Sequence, residues 1–334
     1  MFYKIYDKIK KFIVENYKFL LVMLFFILLF KIELPYVVYK PGGAINLNKR
    51  IEIEGGYEVD GSFEMAYVSL VKGNLPFLGL AAILPDWDII PKEDVTTNDE
   101  SIEETLKKDK IYLEEAINNA TIVAFKAADK DLEINKIINN IIYITDEAET
   151  TLQEYDQILE VENIKINSLK ELKDIVNTKH EGDILKLNVK RNNKKIDATA
   201  KVYNTDDGLK IGVSLVNTYE LETKPEIEVK TKRSESGPSG GLMTALSIYN
   251  ALVKDDITKG RKIVGTGTIS MDGVVGEIGG VKYKLMGAVK EKADIFLCPK
   301  GNYDEAIKVK EEKDYDIEVV SVATFDDALS YLVD

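Results

Sequence analysis

The chain has one histidine and one cysteine among its 334 residues, His180 and Cys298. A single cysteine excludes an internal disulfide, and without a Cys/His cluster a transition-metal site is not expected. His180 lies in the polar, turn-like run 178–183, where a solvated loop position is the simplest interpretation. We therefore expect no metal and no cofactor, and a catalytic base would have to come from another residue type.

Two other features are scarce: phosphate-binding motifs and excess positive charge. No Gly-x-x-x-x-Gly-Lys-Ser/Thr motif occurs, so nothing indicates an ATPase. The formal net charge is −13, although residues 1–18 are basic, with five lysines against two acidic residues. This balance argues against nucleic acid as a partner.

The N-terminus carries an unbroken apolar run from Phe19 to Phe30. Twelve residues fall short of the ~20 that span a bilayer, but the run extends to Val38 if Lys31 and Glu33 snorkel. We predict a transmembrane anchor at 19–38, with 1–18 as a cytoplasmic tail and the remainder extracellular. A cleaved signal peptide is the alternative.

A turn rich in small residues, Gly237-Pro-Ser-Gly-Gly241, precedes a stretch with apolar residues three and four apart. This pattern predicts a helix from Leu242, with Ser239 at or just before its N-terminus. Unpaired N–H groups and the helix dipole meet there, which suits a serine nucleophile whose oxyanion needs donors. An ordinary N-cap or a phosphate-binding turn is the alternative.

A serine nucleophile in this chain needs a lysine as its base, and that lysine must be neutral through burial. Residues 264–280 predict two short strands around a turn at 271–273. They lead into a helix that begins near Val281 and carries Lys282 and Lys284. Spacing alone does not choose between these two lysines.

These motifs together resemble the Lon-type serine–lysine protease domain. The resemblance rests on Gly237–Gly241 and on Gly279-Gly-Val-Lys282. It continues through Thr266–Ser270 and Asp294–Asn302 and covers about residues 205–334. It implies a C-terminal α/β proteolytic domain.

The resemblance also implies roles for particular residues. Ser239 would be the nucleophile and Lys282, 43 residues later as in the family, the base. Three residues would support the lysine or the oxyanion: Thr266, Gly237 and Gly240. The chain departs from the usual pattern at Gly240, where alanine is common, and at Ser236, where many members carry aspartate.

Residues 126–204 resemble a PDZ domain, β-rich with short helices. The pattern predicts a short helix from an N-cap at Ser168 and a hairpin at Asn192-Asn193. PDZ domains bind peptide C-termini by strand addition. The glycine-bearing carboxylate loop of that family should lie within 131–142, which has no glycine.

The preceding region, 39–125, predicts strands at Arg50–Glu54 and Ala66–Val71 and a helix at Ser101–Asn119. By resemblance it matches the N-terminal segment of membrane-anchored, PDZ-containing Lon-like proteases, packing near the proteolytic domain at 205–334. The expected class is thus α+β.

The predicted function is an ATP-independent, membrane-anchored serine endopeptidase that cleaves exposed or unfolded peptides and proteins outside the cytoplasm. Its partners would be those substrates and the lipid bilayer, with no nucleic acid. Because related protease domains often form rings, a homo-oligomer is a further possible partner. The alternative is a non-catalytic PDZ-type peptide receptor or scaffold with an inert protease domain.

Overall fold

The computed structural model describes residues 2–95 and 102–334. These residues form two compact units, Met1–Gly42 with Val68–Ser101, and Gly43–Tyr67 with Ile102–Asp334. The helices are α1 Phe2–Lys31, α2 Leu75–Ala81, α3 Ile102–Ala127, α4 Leu169–Asn177, α5 Gly241–Leu252, α6 Val281–Lys290, α7 Tyr303–Glu312 and α8 Phe325–Val333.

The strands fall into one large sheet, one PDZ-like sheet and several short ladders. They are β1 Glu33–Asn46, β2 Ile51–Ile53, β3 Ser62–Asn74, β4 Asp88–Pro91, β5 Asp131–Ile144, β6 Gln157–Val161, β7 Ile164–Lys165, β8 Ile184–Arg191, β9 Lys194–Lys201, β10 Tyr203–Thr205, β11 Gly208–Lys210, β12 Val213–Lys224, β13 Ile227–Val229, β14 Lys262–Gly265, β15 Thr268–Ile269, β16 Val275–Gly276, β17 Ile295–Pro299 and β18 Glu318–Val322.

In the first unit, α1 contains a candidate membrane span of 27 residues, Ile5–Lys31, whose most apolar 18-residue window has mean hydropathy 2.1 and no buried residue. At 1.5 Å per residue it is about 40 Å long, enough to cross a ~30 Å hydrocarbon layer. The helix differs from the predicted anchor at both ends, because it begins at Phe2 and residues from Glu33 onward form β1. Val37 and Val38, which the prediction placed in the anchor, lie in β1 and are buried, at 1% and 0% exposure.

The large sheet has the order β18-β17-β14-β3-β1-β4, and β14, β17 and β18 belong to the second unit with residues 62–67 of β3 and 43–46 of β1. Strands β3, β14, β17 and β18 run parallel. Alternate residues of such strands face opposite sides, so each side needs helices. The two core clusters show this, one joining α5 to Ile263 and Leu297, the other joining α6 and α7 to Val264 and Phe296. The expected α/β proteolytic fold is confirmed.

The sheet also sets the domain boundaries. Ser62–Met65 of β3 pair with Lys262–Gly265 of β14, so part of region 39–125 lies inside the proteolytic sheet rather than beside it. At the other boundary, β12 pairs with β5 from Val213↔Ile144 to Lys224↔Asp131. The PDZ-like sheet therefore extends to residue 224, beyond the expected limit at 204, and is inserted within the proteolytic fold.

The PDZ-like sheet has the order β12-β5-β6-β8-β9, with β7 paired to β6. As predicted, Ser168 caps α4, since its Oγ accepts from the Glu171 N–H at 3.1 Å. Asn192 and Asn193 have φ of 49° and 63° and close the β8–β9 hairpin. The stretch 131–142, which lacks the glycine of the family's carboxylate loop, forms β5 and pairs with both β12 and β6.

Candidate active site

Ser239 lies in the turn that leads into α5. Gly237 adopts φ +85°, a conformation that favours glycine, and α5 begins at Gly241 with Gly240 as its N-cap residue. No side chain caps this helix. Ser239 is therefore not its N-cap, which removes the simplest structural reason for a serine at this position.

Several contacts hold the turn and the strand after it in register. The Gly267 N–H donates to the Ser239 carbonyl at 2.8 Å, and the Leu242 N–H donates to the Gly267 carbonyl at 3.1 Å. From α3, the Asp109 carbonyl accepts the Gly237 N–H at 2.9 Å. The Gly237 amide is thus already bonded. Within residues 2–95 and 102–334, the amides of Ser239 and Gly240 donate to no protein acceptor.

The preceding loop is fixed by charged side chains. Arg50 Nη2 lies 2.8 Å from Glu235 Oε1, and both side chains are mostly buried. Glu235 Oε2 accepts the Lys232 N–H at 2.8 Å. Lys110 Nζ, from α3, donates to the carbonyl oxygens of Lys232 and Glu235. These contacts tie the loop that precedes Ser239 to Arg50 and to α3.

Thr266 connects a lysine amine to the serine turn. It follows β14 and is fully buried. Its Oγ1 donates to the Ser239 carbonyl at 3.0 Å and accepts from Lys284 Nζ at 3.1 Å. Thr266 was predicted to orient the catalytic lysine, and the amine that it contacts is that of Lys284.

The two lysines of α6 occupy different environments. Residues two apart on a helix point about 200° from each other. Lys284 is 4% exposed, whereas Lys282 is partly exposed, with Nζ 5.2 Å from the ring centroid of Tyr283. Sequence resemblance had favoured Lys282. The apolar stripe of α6 is the signal that points to Lys284 instead, because this lysine shares it with Val281, Leu285 and Ala288.

Burial lowers the pKa of Lys284 from 10.5 to about 8, with the Cys298 thiol opposing this shift slightly. Cys298 lies in β17, and burial raises its own pKa to about 12, so it stays a neutral thiol. In the described part of the chain, no carboxylate forms an ion pair with Lys284. With a pKa of about 8, a minor but usable fraction of the amine is neutral near pH 7.

Gly240 has a structural reason to be glycine. A Cβ placed there would lie 2.5 Å from Sδ of Met65, a residue of β3. Met65, Gly240 and Gly241 line a narrow apolar crevice beside the first turn of α5, with Leu113 and Ile117 of α3 on its other side. At position 240, where the family commonly has alanine, Met65 occupies the space that an alanine Cβ would need.

The remaining candidates lie elsewhere. His180 is in the PDZ-like sheet region, with a side chain 92% exposed and Nδ1 3.6 Å from Asp183 Oδ2. It takes no part in the Ser239 site. The described residues contain no group of three or more His, Cys, Asp or Glu placed to hold a metal ion.

Parallel strands with helices on both sides describe an α/β domain, and its candidate centre holds Ser239 before a helix and the buried Lys284. Residues 155–334 match the sequence profile of the Lon protease (S16) C-terminal proteolytic domain. The chain belongs to this family and is a serine peptidase by class. Its 334 residues carry no ATPase domain.

Individual relatives agree with that assignment. The Lon protease of Endomicrobium trichonymphae is 24% identical over 172 residues, which are 51% of this chain and 20% of the relative. That of Campylobacter concisus is 34% identical over 96 residues, 28% of this chain and 12% of the relative. The chain thus spans about a fifth or less of the length of these relatives.

One solved structure resembles part of the chain. It is the PDZ domain of an SdrC-like protein from Listeria monocytogenes, which is 25% identical to the matched part of this chain. The match covers 25% of this chain and 90% of the PDZ domain, with a TM-score of 0.23.

Proposed function

We propose that this chain is a membrane-anchored, ATP-independent serine endopeptidase with Ser239 as nucleophile and Lys284, in place of Lys282, as general base. The observation that carries the proposal is the chain of hydrogen bonds from Lys284 Nζ through Thr266 Oγ1 to the Ser239 carbonyl. It supports Lys284 because this amine is buried and oriented towards the serine turn.

In the proposed reaction, neutral Lys284 Nζ takes the proton from Ser239 Oγ as Oγ bonds to the substrate carbonyl carbon. The same proton then passes to the leaving amine as the peptide C–N bond breaks. Water, deprotonated by Lys284, hydrolyses the resulting ester. Lys284 thereby returns to its neutral form after passing the proton to Ser239 Oγ.

The developing oxyanion needs donors that are not already used. The N–H groups of Ser239 and Gly240 fit this role, because they have no protein acceptor in the described residues. Gly237 was expected to assist directly. Its N–H is bonded to Asp109, so we assign it to shaping the turn through its positive φ.

Helix α1 and the lysines at its start support the proposed localisation. An apolar helix of this length can anchor the chain, and the lysine excess before Phe19 favours a cytoplasmic N-terminus with the catalytic unit outside. Without an unfoldase in the chain, the substrates should be exposed or unfolded peptides.

The test is cleavage of unfolded casein by the full chain in detergent or vesicles, without ATP, followed by mass spectrometry. Fragments that appear with the unmodified chain and vanish with Ser239→Ala support the peptidase. Peptide binding that yields no Ser239-dependent fragment would instead favour the receptor function, for which β12, the edge strand of the PDZ-like sheet, is the candidate surface.

A further inference from the structure

The first unit carries an apolar segment that the proposed chemistry does not use. From Leu75 to Pro85 the chain has no charged side chain. Four large apolar side chains in and just after α2 are exposed: Leu75 46%, Leu80 44%, Ile83 80% and Leu84 37%. A contiguous apolar surface of this kind marks a partner or a membrane in a soluble domain.

This segment is attached to the C-terminal end of α1 within the same compact unit. Asn74 Nδ2 donates to the Phe30 carbonyl at 3.3 Å. The rings of Phe30 and Phe77 meet edge to face at 6.3 Å, and Phe77 contacts Trp87 at 6.4 Å. Two ring contacts therefore fix the indole of Trp87 relative to the last turn of α1.

The chemistry of the segment changes from apolar to polar at Trp87. Asp86 and Asp88 flank this residue, and Lys40 Nζ lies 4.8 Å above its ring. Tryptophan is enriched where a membrane meets water, and a lysine there can keep its amine in the aqueous layer while its stem covers apolar surface.

We propose that residues 75–87 form a second membrane contact, lying in the interface of the bilayer that α1 crosses. The inference rests on the proposed membrane anchoring of α1. Lipid is the occupant because the segment packs against Phe30, and the apolar window of α1 has no buried share. Leu75, Leu80, Ile83 and Leu84 would reach about 5–10 Å into the headgroup and acyl boundary.

Trp87 is the only tryptophan in the chain, so its fluorescence reports this position directly. The full chain is reconstituted into phosphatidylcholine vesicles whose acyl chains carry bromine near the headgroup or near the bilayer centre. We expect loss of Trp87 emission with shallow bromine and much less loss with deep bromine. If the chain resists extraction by alkaline carbonate but its Trp87 emission equals that in unbrominated vesicles, this inference is wrong. The proposed membrane anchoring by α1 would not be affected.

Chain removed by the carbonate wash would contradict the anchor and this contact together, whereas Ser239-dependent cleavage is measured separately. Ile83→Asp should reduce the quenching by shallow bromine. The matched control is Ile184→Asp, a residue 65% exposed in the PDZ-like sheet, which should leave the quenching unchanged. Equal effects of the two variants would also overturn the inference.

Discussion

The PDZ-like sheet and the proteolytic sheet each bury an ionisable group, and they treat it in opposite ways. Asp156, fully buried in the PDZ-like part, accepts from Arg191 Nε and Nη2, both at 2.7 Å, and from the Gln153 N–H at 2.9 Å. Lys284, buried beside Thr266, has one hydrogen bond and no ion pair among the described residues. The paired carboxylate is held in its charged form, whereas burial without an ion pair favours the neutral amine that the proposed mechanism needs.

The largest expected effect comes from removing the Lys284 amine. Lys284→Met should lower kcat/KM for a cleaved peptide by roughly 10²–10⁴-fold, the usual contribution of a general base. Lys282→Met, which changes the same residue type two positions earlier on α6, should leave kcat/KM close to that of the unmodified chain. Steady-state kinetics on one fluorogenic peptide decide the matter. A loss confined to Lys282→Met would return the base to Lys282.

Breaking the paired group should cost stability instead of activity. Arg191→Met leaves the Asp156 carboxylate buried without its bidentate partner, which should destabilise the PDZ-like part by about 3 kcal/mol. Urea denaturation followed by hydrogen exchange of β8 and β9 measures this. A variant with unchanged protection in these strands would show that the ion pair contributes little.

The pH dependence distinguishes the two groups further. Lys284 has a folded pKa of about 8 against 10.5 unfolded, so the unfolded chain binds more protons between these values. Folding stability from this group therefore rises with pH from 8 towards 10.5, by at most about 3 kcal/mol. Activity follows the folded pKa alone, so kcat/KM should rise with pH up to about 8, as Lys284 becomes neutral, and level off above it.

Lys284→Met should remove this gain, because methionine cannot titrate. Its urea midpoint is expected to exceed that of the unmodified chain near pH 7, with the difference narrowing towards about pH 10. A kcat/KM profile that peaks near pH 5, or a midpoint difference that is constant with pH, would contradict the assignment of a neutral base to Lys284.

Local patterns predicted much of this molecule, since they depend on neighbours in sequence. The cap at Ser168, the Asn192-Asn193 hairpin and the helix after the Ser239 turn all follow from residues a few positions apart. The insertion of the PDZ-like sheet within the proteolytic fold could not be predicted from local patterns. It depends on the pairing of β3 with β14, which are about 200 residues apart in sequence. No local signal marks such a pairing.

The two lysines of α6 differ in burial, and the sequence resemblance that favours Lys282 does not use this difference. Spacing alone does not choose between the two lysines, and Lys282 is predicted from the match to the family motif Gly279-Gly-Val-Lys282. Burial depends on which face of α6 meets the sheet, and the apolar stripe shared with Leu285 carries that information. The apolar face of a helix therefore predicts which lysine is buried, which a distance along the chain does not.

The smallest expected effect concerns Gly240 and Met65, which lie beside the site. Gly240→Ala alone should cost about 1–2 kcal/mol of stability, because its Cβ would meet Met65 Sδ at 2.5 Å in a packed crevice. Met65→Ala leaves a cavity and should also destabilise. The double variant moves bulk from residue 65 to residue 240, so its cost should be smaller than the sum of the two, by about 1 kcal/mol.

Because the methionine side chain is flexible, the coupling has a further consequence for function. If Met65 only fills space left by Gly240, the double variant should recover kcat/KM lost in Gly240→Ala together with stability. Recovery of stability without activity would mean that the Gly240 backbone, as an oxyanion donor, has shifted. Additive free energies of unfolding from urea denaturation would show that the two side chains do not compete for one space.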